Sequence, residues 1–202
     1  GILLSIAHSD ALYPEIEKAR ERGYRMFTHL YSGLTNVTRK NCFRTGGAVE
    51  AAYLFDNMYT ETIADLRHLP PELIQLVFKI KGAGRNALVT DAMRAAGQSG
   101  GISVLGSLKS GQKVIIEDGV AKLPDRSSFA GSIATADVLV RNTVSCGISL
   151  IDAVRMITQT PAEIMGRNDI GIIAPGKRAD LVLFDEDINI RKVIKNGVPM
   201  DE

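Results

Sequence analysis

The sequence predicts an α/β chain: repeated βα units around a parallel sheet, either closed as a barrel or left open, followed by a small β-rich tail. Three observations carry this reading. Over the first ninety residues, short apolar or β-branched runs alternate with longer stretches of helical period. Four of those runs end in a histidine or an aspartate, as strands of a parallel sheet do when their carboxyl ends hold chemistry. After Gly97 the texture changes to a glycine-punctuated β pattern, which returns at the carboxyl end.

Taken in order, the run Ile2 to Ile6 ends at His8, and Ser9 or Asp10 is placed to cap a helix whose apolar face is Leu12, Ile16 and Ala19, stopped by Gly23. Tyr24 to Thr28 reads as a second strand ending at His29. A polar loop rich in Gly, Ser, Thr and Asn runs to Gly47, and a short apolar helix through Val49 and Leu54 follows. The third strand, Tyr59 to Ala64, ends at Asp65 and His68, and Pro70-Pro71 opens a helix to about Lys81. Asn86 to Thr90 is the fourth strand and ends at Asp91. The β pattern beyond it comprises Ile102 to Leu105, Lys113 to Ile116 and Val120 to Leu123, with Asp118-Gly119 as a hairpin turn. Helical period resumes at about Ile133 to Val144 and at Leu150 to Thr158, where Ile151, Val154 and Ile157 form a stripe. A short helix from Thr160-Pro161 is ended by Gly166. The tail segments, Ala179 to Phe184, Ile190 to Lys195 and Val198 to Met200, are β-type, with Asn196-Gly197 as a turn. This divides the chain into a βα region, 1–168, with a β-hairpin insertion at about 100–128, and a fragment of a small β subdomain, 169–202.

Composition narrows the function. The 202 residues, 45% of them hydrophobic, suffice for one sizeable core. The 24 basic and 23 acidic side chains nearly cancel, which argues against nucleic acid or an anionic membrane as partner. No apolar stretch approaches the roughly 18 to 20 residues of a membrane span, and a cytoplasmic location is the expectation. Cys42 and Cys146 lie far apart with no CxxC spacing, so neither a disulfide framework nor a zinc knuckle is indicated. The chain opens straight into an apolar run without an initiating methionine, from which truncation at the amino terminus is expected.

All three histidines of the chain and one aspartate fall at equivalent strand-end positions. A lone histidine there more often makes a structural hydrogen bond than ligates a metal, and a lone Asp91 would serve equally as a helix cap; the shared placement favours chemistry. Imidazoles suit a divalent transition metal that keeps a coordination position open, so His8 and His29 are the candidate ligands. A carboxylate such as Asp91 then takes a proton from water and returns it to a leaving amine, which together with the metal describes amide hydrolysis. Arg44 sits in a polar loop as surface arginines usually do, yet a guanidinium fork matches phosphate and the neighbouring Gly46-Gly47 offers backbone donors. The short basic run TRKNCFR lacks the aromatic interleaving of a nucleic-acid site.

At these residues the sequence resembles the N-acetylglucosamine-6-phosphate deacetylase family of the amidohydrolase superfamily, through essentially the whole chain. AHSDA, Ala7 to Ala11, is similar to the family's GHSxA; FTHLYSGL, Phe27 to Leu34, to THLxNAM; and ADLRH, Ala64 to His68, to DGxH. LVTDAM, Leu88 to Met93, matches the catalytic aspartate motif, and FAGSIAT, Phe129 to Thr135, matches LAGSxLT. GIIAPGKRADLVLFD, Gly171 to Asp185, carries a signature shared across the superfamily. The resemblance implies the second half of a (β/α)8 TIM-type barrel plus part of a small β subdomain. It further implies that His8 and His29 ligate a divalent ion, zinc or iron, that Asp91 is proton acceptor and donor, and that His68 polarises the acetyl group. Ser32, Gly33, Arg44, Asp65, Leu66, Arg67, His68, Phe129, Ala130 and Gly131 are the residues it assigns to a sugar-phosphate pocket.

Further implications are a homodimer, or association with the missing half of the barrel, and products acetate and glucosamine 6-phosphate. The family's metal-binding Glu, in an HLEGP-type motif, and the first four or so strands are not in this sequence. Ser32-Gly33 stands for Asn-Ala, Leu66-Arg67 interrupts DGxH, and FRTGG stands where REPG is usual; these departures leave N-acetylgalactosamine 6-phosphate open as substrate. Two other readings compete: another amidohydrolase, of cyclic-amidohydrolase or aminoacylase type, and a non-catalytic assembly module that keeps the shell of an ancestral site.

Overall fold

Short apolar runs set between polar loops give short parallel strands, and each intervening amphipathic segment becomes a helix laid against them. The structure, a computed structural model, describes residues 1–200, so the last two residues of the expected β subdomain lie outside the described residues. In chain order the first unit is β1 (Ser5–Ile6), α1 (Tyr13–Glu21) and β2 (Met26–Phe27). The antiparallel pair β3 (Thr38–Lys40) and β4 (Phe43–Thr45) precedes α2 (Ala48–Leu54), and β5 (Tyr59–Thr62), α3 (Pro71–Lys81) and β6 (Asn86–Leu88) complete the series. Strands β1, β2, β5 and β6 lie side by side in that order, every neighbouring pair parallel. The α/β expectation with a parallel sheet is therefore met.

The remaining chain adds two antiparallel sheets and three helices. Strands β7 (Gly101–Leu105), β8 (Gln112–Glu117) and β9 (Val120–Lys122) form a meander. Helices α4 (Ala136–Ser145), α5 (Leu150–Ile157) and α6 (Gln159–Ile164) follow, and β10 (Leu181–Phe184), β11 (Ile190–Lys195) and β12 (Val198–Pro199) form the last sheet. Asp118-Gly119 and Asn196-Gly197 turn with positive φ at both residues, the geometry that matches strand twist in a two-residue hairpin.

Several local details differ from the sequence reading. Helix α1 begins at Tyr13, not after Ser9 or Asp10; its entry is held by Glu15, whose carboxylate accepts from Leu12 N at 2.8 Å, with Pro14 in the first turn. Ser9 instead closes a tight local turn by accepting from Ala11 N. The polar loop before Gly47 contains the β3–β4 hairpin, whose Asn41-Cys42 turn has φ 48° and 68°. The first strand is shorter than expected, with residues 1–4 exposed.

Two apolar clusters hold the parallel sheet. Ile6, Phe27, Ile16, Val49, Met58 and Val77 pack beneath β1, β2 and the first helices. Leu69, Ile74, Leu88, Leu139 and Met156 join α3 to α4 and α5. Polar ties fix the loops: Asn142 Nδ2 donates to Ala64 O at 2.9 Å just beyond β5, and Thr160 Oγ1 donates to Ala83 O at 2.6 Å before β6. Buried Lys81 donates to Ala52 O and Phe55 O, both at 3.0 Å, and so satisfies carbonyls at the end of α2. Among the described residues no helix is long and apolar enough to cross a membrane.

Candidate active site

All four parallel strands end on one side of the sheet, and the chain bends sharply at the histidine or aspartate that follows three of them. His8, His29 and Asp91 have φ of 42°, 32° and 47°, the left-handed region that costs a non-glycine residue about 1–3 kcal/mol. Strain of this kind persists only where surrounding structure enforces it, and it gathers at working sites. Leu66, between Asp65 and His68, shares it with φ 59°.

Two of the expected ligands meet directly. His8 Nε2 and His29 Nε2 are 3.1 Å apart, with the rings tilted 53° to one another. That separation serves one N–H···N hydrogen bond, and it also approaches the spacing, about 3.3 Å, of two nitrogens on a tetrahedral ion with bonds of about 2.0–2.1 Å. His8 is exposed while His29 is only 7% exposed, so the pair opens to solvent on one side. Buried His29 Nδ1 has no hydrogen-bond partner. The donor chemistry thus fits two positions of a divalent centre. Among the described residues no group of three His, Cys, Asp or Glu side chains is arranged to hold an ion.

Gly33 is what allows His8 its place. At φ +59°, a Cβ on residue 33 would lie 3.2 Å from His8 Cγ, so glycine suits both the left-handed backbone and its close run against the imidazole. Ser32 contributes its backbone, donating to His29 O at 2.9 Å to close the turn behind that ring.

Asp65 and His68 form a second unit. Asp65 Oδ1 accepts from the amides of Arg67 at 2.9 Å and His68 at 2.8 Å, while Oδ2 faces His68 Nδ1 at 2.6 Å. Burial alone would raise the Asp65 carboxyl, but the bond from the His68 ring and the two amides outweigh it and hold the group below the usual carboxylate range. An ionised acceptor requires the proton on Nδ1, which leaves Nε2 as the free face of His68. Phe129 sits beside that ring, centroids 5.0 Å apart. Arg67 points elsewhere: its guanidinium lies against Gly119 in the β8–β9 turn, where a Cβ would be 3.4 Å from Nε.

Asp91 is exposed, and its carbonyl accepts from Ser132 N at 2.9 Å, which brings the Phe129–Ala130–Gly131 segment alongside it. Ala130 itself is buried, its amide donating to Ala121 O at 2.9 Å. Arg44 is exposed on β4, opposite Arg39 in register, and no contact among the described residues ties it to the histidines. Of the neighbouring glycine donors, Gly47 N is taken by Glu50 Oε2 at 2.7 Å.

Sequence reasoning missed Glu61. Its Oε2 accepts from His29 N at 3.3 Å; burial raises its carboxyl above the usual range, the His29 amide opposes this, and the charge of Asp91 adds to the rise. The signal was a lone carboxylate inside the strand run YTET, two residues before the apolar Ile63-Ala64.

Comparison with known proteins identifies the family and its relatives. The amidohydrolase family model matches residues 6–200. The chain is 34% identical over 200 residues to an N-acetylglucosamine-6-phosphate deacetylase of Lysinibacillus sphaericus, covering 98% of this chain and 49% of that protein. It is also 34% identical over 194 residues to an N-acetylgalactosamine-6-phosphate deacetylase of a Shewanella species, covering 96% and 47%. Among solved structures, the N-acetylglucosamine-6-phosphate deacetylase of Thermotoga maritima superposes with a TM-score of 0.88 at 35% identity, over 98% of this chain and 52% of that one. A Mycobacterium smegmatis enzyme, a mutant in complex with N-acetyl-D-glucosamine-6-phosphate, superposes with a TM-score of 0.89 at 29% identity, over 98% and 51%. The chain spans about half the length of the curated relatives it matches.

Proposed function

This chain belongs to the amidohydrolase family, and we propose that it carries the working half of a deacetylase that hydrolyses the N-acetyl group of N-acetylglucosamine 6-phosphate to glucosamine 6-phosphate and acetate. The observation that carries the reading is the 3.1 Å approach of His8 Nε2 to His29 Nε2, made by two residues held in left-handed backbone. The relatives' names support the substrate class, since they divide between the glucosamine and galactosamine epimers.

In this reading His8 and His29 hold a divalent ion, zinc or iron, with a third protein ligand from outside the described residues. When bound, such an ion supplies Lewis acidity, acidifying water and polarising an acetyl carbonyl. Asp91 takes the proton of the attacking water on its carboxylate and passes it to the amine nitrogen of the departing sugar. His68, with Nδ1 donating to Asp65, turns Nε2 to the substrate; neutral, it accepts a hydroxyl proton, and protonated, it donates to the acetyl oxygen while the Asp65 charge balances it. Phe129 gives the sugar an apolar edge beside that ring, with Ala130 and Gly131 completing the wall. Ser32 and Gly33 line the pocket by the histidine pair, Asp65, Leu66 and Arg67 line it through the backbone that carries His68, and Arg44 binds the phosphate. The four parallel strands are the second half of a (β/α)8 barrel, closed by the remaining half. The active form is a cytoplasmic homodimer.

The test is a substrate panel on the full-length polypeptide with bound metal measured alongside. N-acetylglucosamine 6-phosphate and its galactosamine epimer should both be deacetylated, one preferred, and Asp91→Asn should lower the rate on the order of 10²-fold or more. A cyclic amide opened in their place points to another amidohydrolase; no divalent ion and no effect of Asp91→Asn leave an assembly module.

A further inference from the structure

The parallel ladder between β2 and β5 ends at Phe27 opposite Thr60. Two residues further on, the chain at His29 turns left-handed, so the ladder gives its amide no ordinary partner. Glu61, the next residue of β5, takes both amides of the bend: its side-chain Oε2 accepts from His29 N at 3.3 Å, and its carbonyl accepts from Leu30 N at 2.8 Å. The turn is closed from the other side when Ser32 N donates to His29 O. No described group other than His8 bonds the His29 ring, since Nδ1 is buried without a partner. The direction of that ring therefore rests on the backbone beneath it.

We infer that Glu61 is a positioning residue: by accepting the His29 amide on its side chain, it locks the strained bend that aims His29 Nε2 at His8 Nε2. The inference rests on the proposed metal-binding role of that pair and extends it to a residue outside the ligand set. What the clamp needs is an oxygen acceptor at this place, rather than the negative charge. Glutamine offers such an oxygen and alanine does not. Residues that orient a ligand are typically worth 10–100-fold in metal affinity.

The experiment uses the full-length polypeptide with Zn²⁺ alone, titrated calorimetrically, for the wild type, Glu61→Ala, Glu61→Gln and His29→Ala. Amide hydrogen exchange at His29 is followed by NMR without metal. Glu61→Ala should bind Zn²⁺ about 10–100-fold more weakly than wild type and exchange the His29 amide at least about tenfold faster. Glu61→Gln should restore both to within about threefold. Wild-type affinity in Glu61→Ala, or a loss in Glu61→Gln as large as that in alanine, overturns the inference. If the wild type and His29→Ala bind Zn²⁺ equally, the metal reading fails, and His29 exchange alone then decides whether the clamp exists: faster in Glu61→Ala upholds it, unchanged overturns it.

Discussion

Asp65 grips His68 at both ends, taking the ring Nδ1 on Oδ2 at 2.6 Å and the backbone amide on Oδ1 at 2.8 Å. The carboxylate therefore sets both where the imidazole stands and which nitrogen carries its proton. In Asp65→Asn the amide can keep one of these contacts through its oxygen, while its NH₂ group meets Nδ1 as a donor and drives the proton to Nε2. If the proposed deacetylation is the protein's reaction, kcat should fall about 100-fold or more, as in aspartate-to-asparagine changes behind a working histidine. The tautomer shift is read directly from the imidazole ¹⁵N resonances of His68; an unchanged tautomer refutes the argument.

The same carboxylate couples stability to acid. Its folded value lies below that of an ordinary aspartate, so the unfolded chain binds the proton first as pH falls. The stabilisation is complete above the unfolded value and is lost as pH falls through the folded one. Urea unfolding of the wild type and Asp65→Asn should show their stability difference narrowing from about pH 5 downwards. A gap that stays constant to pH 3 would show that Asp65 gains nothing from its three donors.

Lys81 acts in the opposite sense, at the alkaline end. Burial pushes its ammonium down to about 8, with the Asp56 charge opposing and Arg85 adding to the shift. Between that value and the ordinary 10.5 the unfolded chain holds the extra proton, so this group makes stability rise with pH from about 8 towards 10. Lys81→Met should abolish that rise. It should also cost stability near pH 7, because Ala52 O and Phe55 O lose their donor. Chemical denaturation at pH 7, 8, 9 and 10 measures both effects.

How much of this was legible in the sequence depends on which force decides each feature. Asp118-Gly119 and Asn196-Gly197 announce their turns because Asn, Asp and Gly tolerate positive φ locally. Asn41-Cys42 adopts the same geometry without that signature at its second residue, which is why β3 and β4 hid inside a polar loop. Strand-end placement put His8 and His29 on one side of the sheet, whereas the 3.1 Å approach of their rings and the contact of His68 with Phe129 are visible only in the structure. The left-handed backbone at His8, His29 and Asp91 was not legible either: the local tolerance of His and Asp for positive φ is too weak to select it without a following glycine, and tertiary contacts hold it. Glu61 left only the lone carboxylate in YTET as a signal, because its role is to receive an amide 32 positions away.

Gly33 allows the strain at this site to be separated from its steric fit. Gly33 and Gly147 both have positive φ, at 59° and 83°, so alanine at either costs about 1–2 kcal/mol in backbone strain. Their surroundings differ: a Cβ on residue 147 meets nothing within 4 Å, while one on residue 33 lies 3.2 Å from His8 Cγ and 3.3 Å from Cδ2. Both contacts are tighter than ordinary packing, so the His8 ring must give by a few tenths of an ångström, and a shift of that kind disturbs its present line to His29 Nε2. Gly147→Ala should therefore lower the melting temperature and leave Zn²⁺ affinity alone. Gly33→Ala should lower melting by a similar amount and also weaken Zn²⁺ binding by about tenfold or more, because two ligands must share one point in space. Equal affinities in the two variants would mean that His8 reaches the ion from a different rotamer and that the 3.1 Å approach is not the liganding geometry.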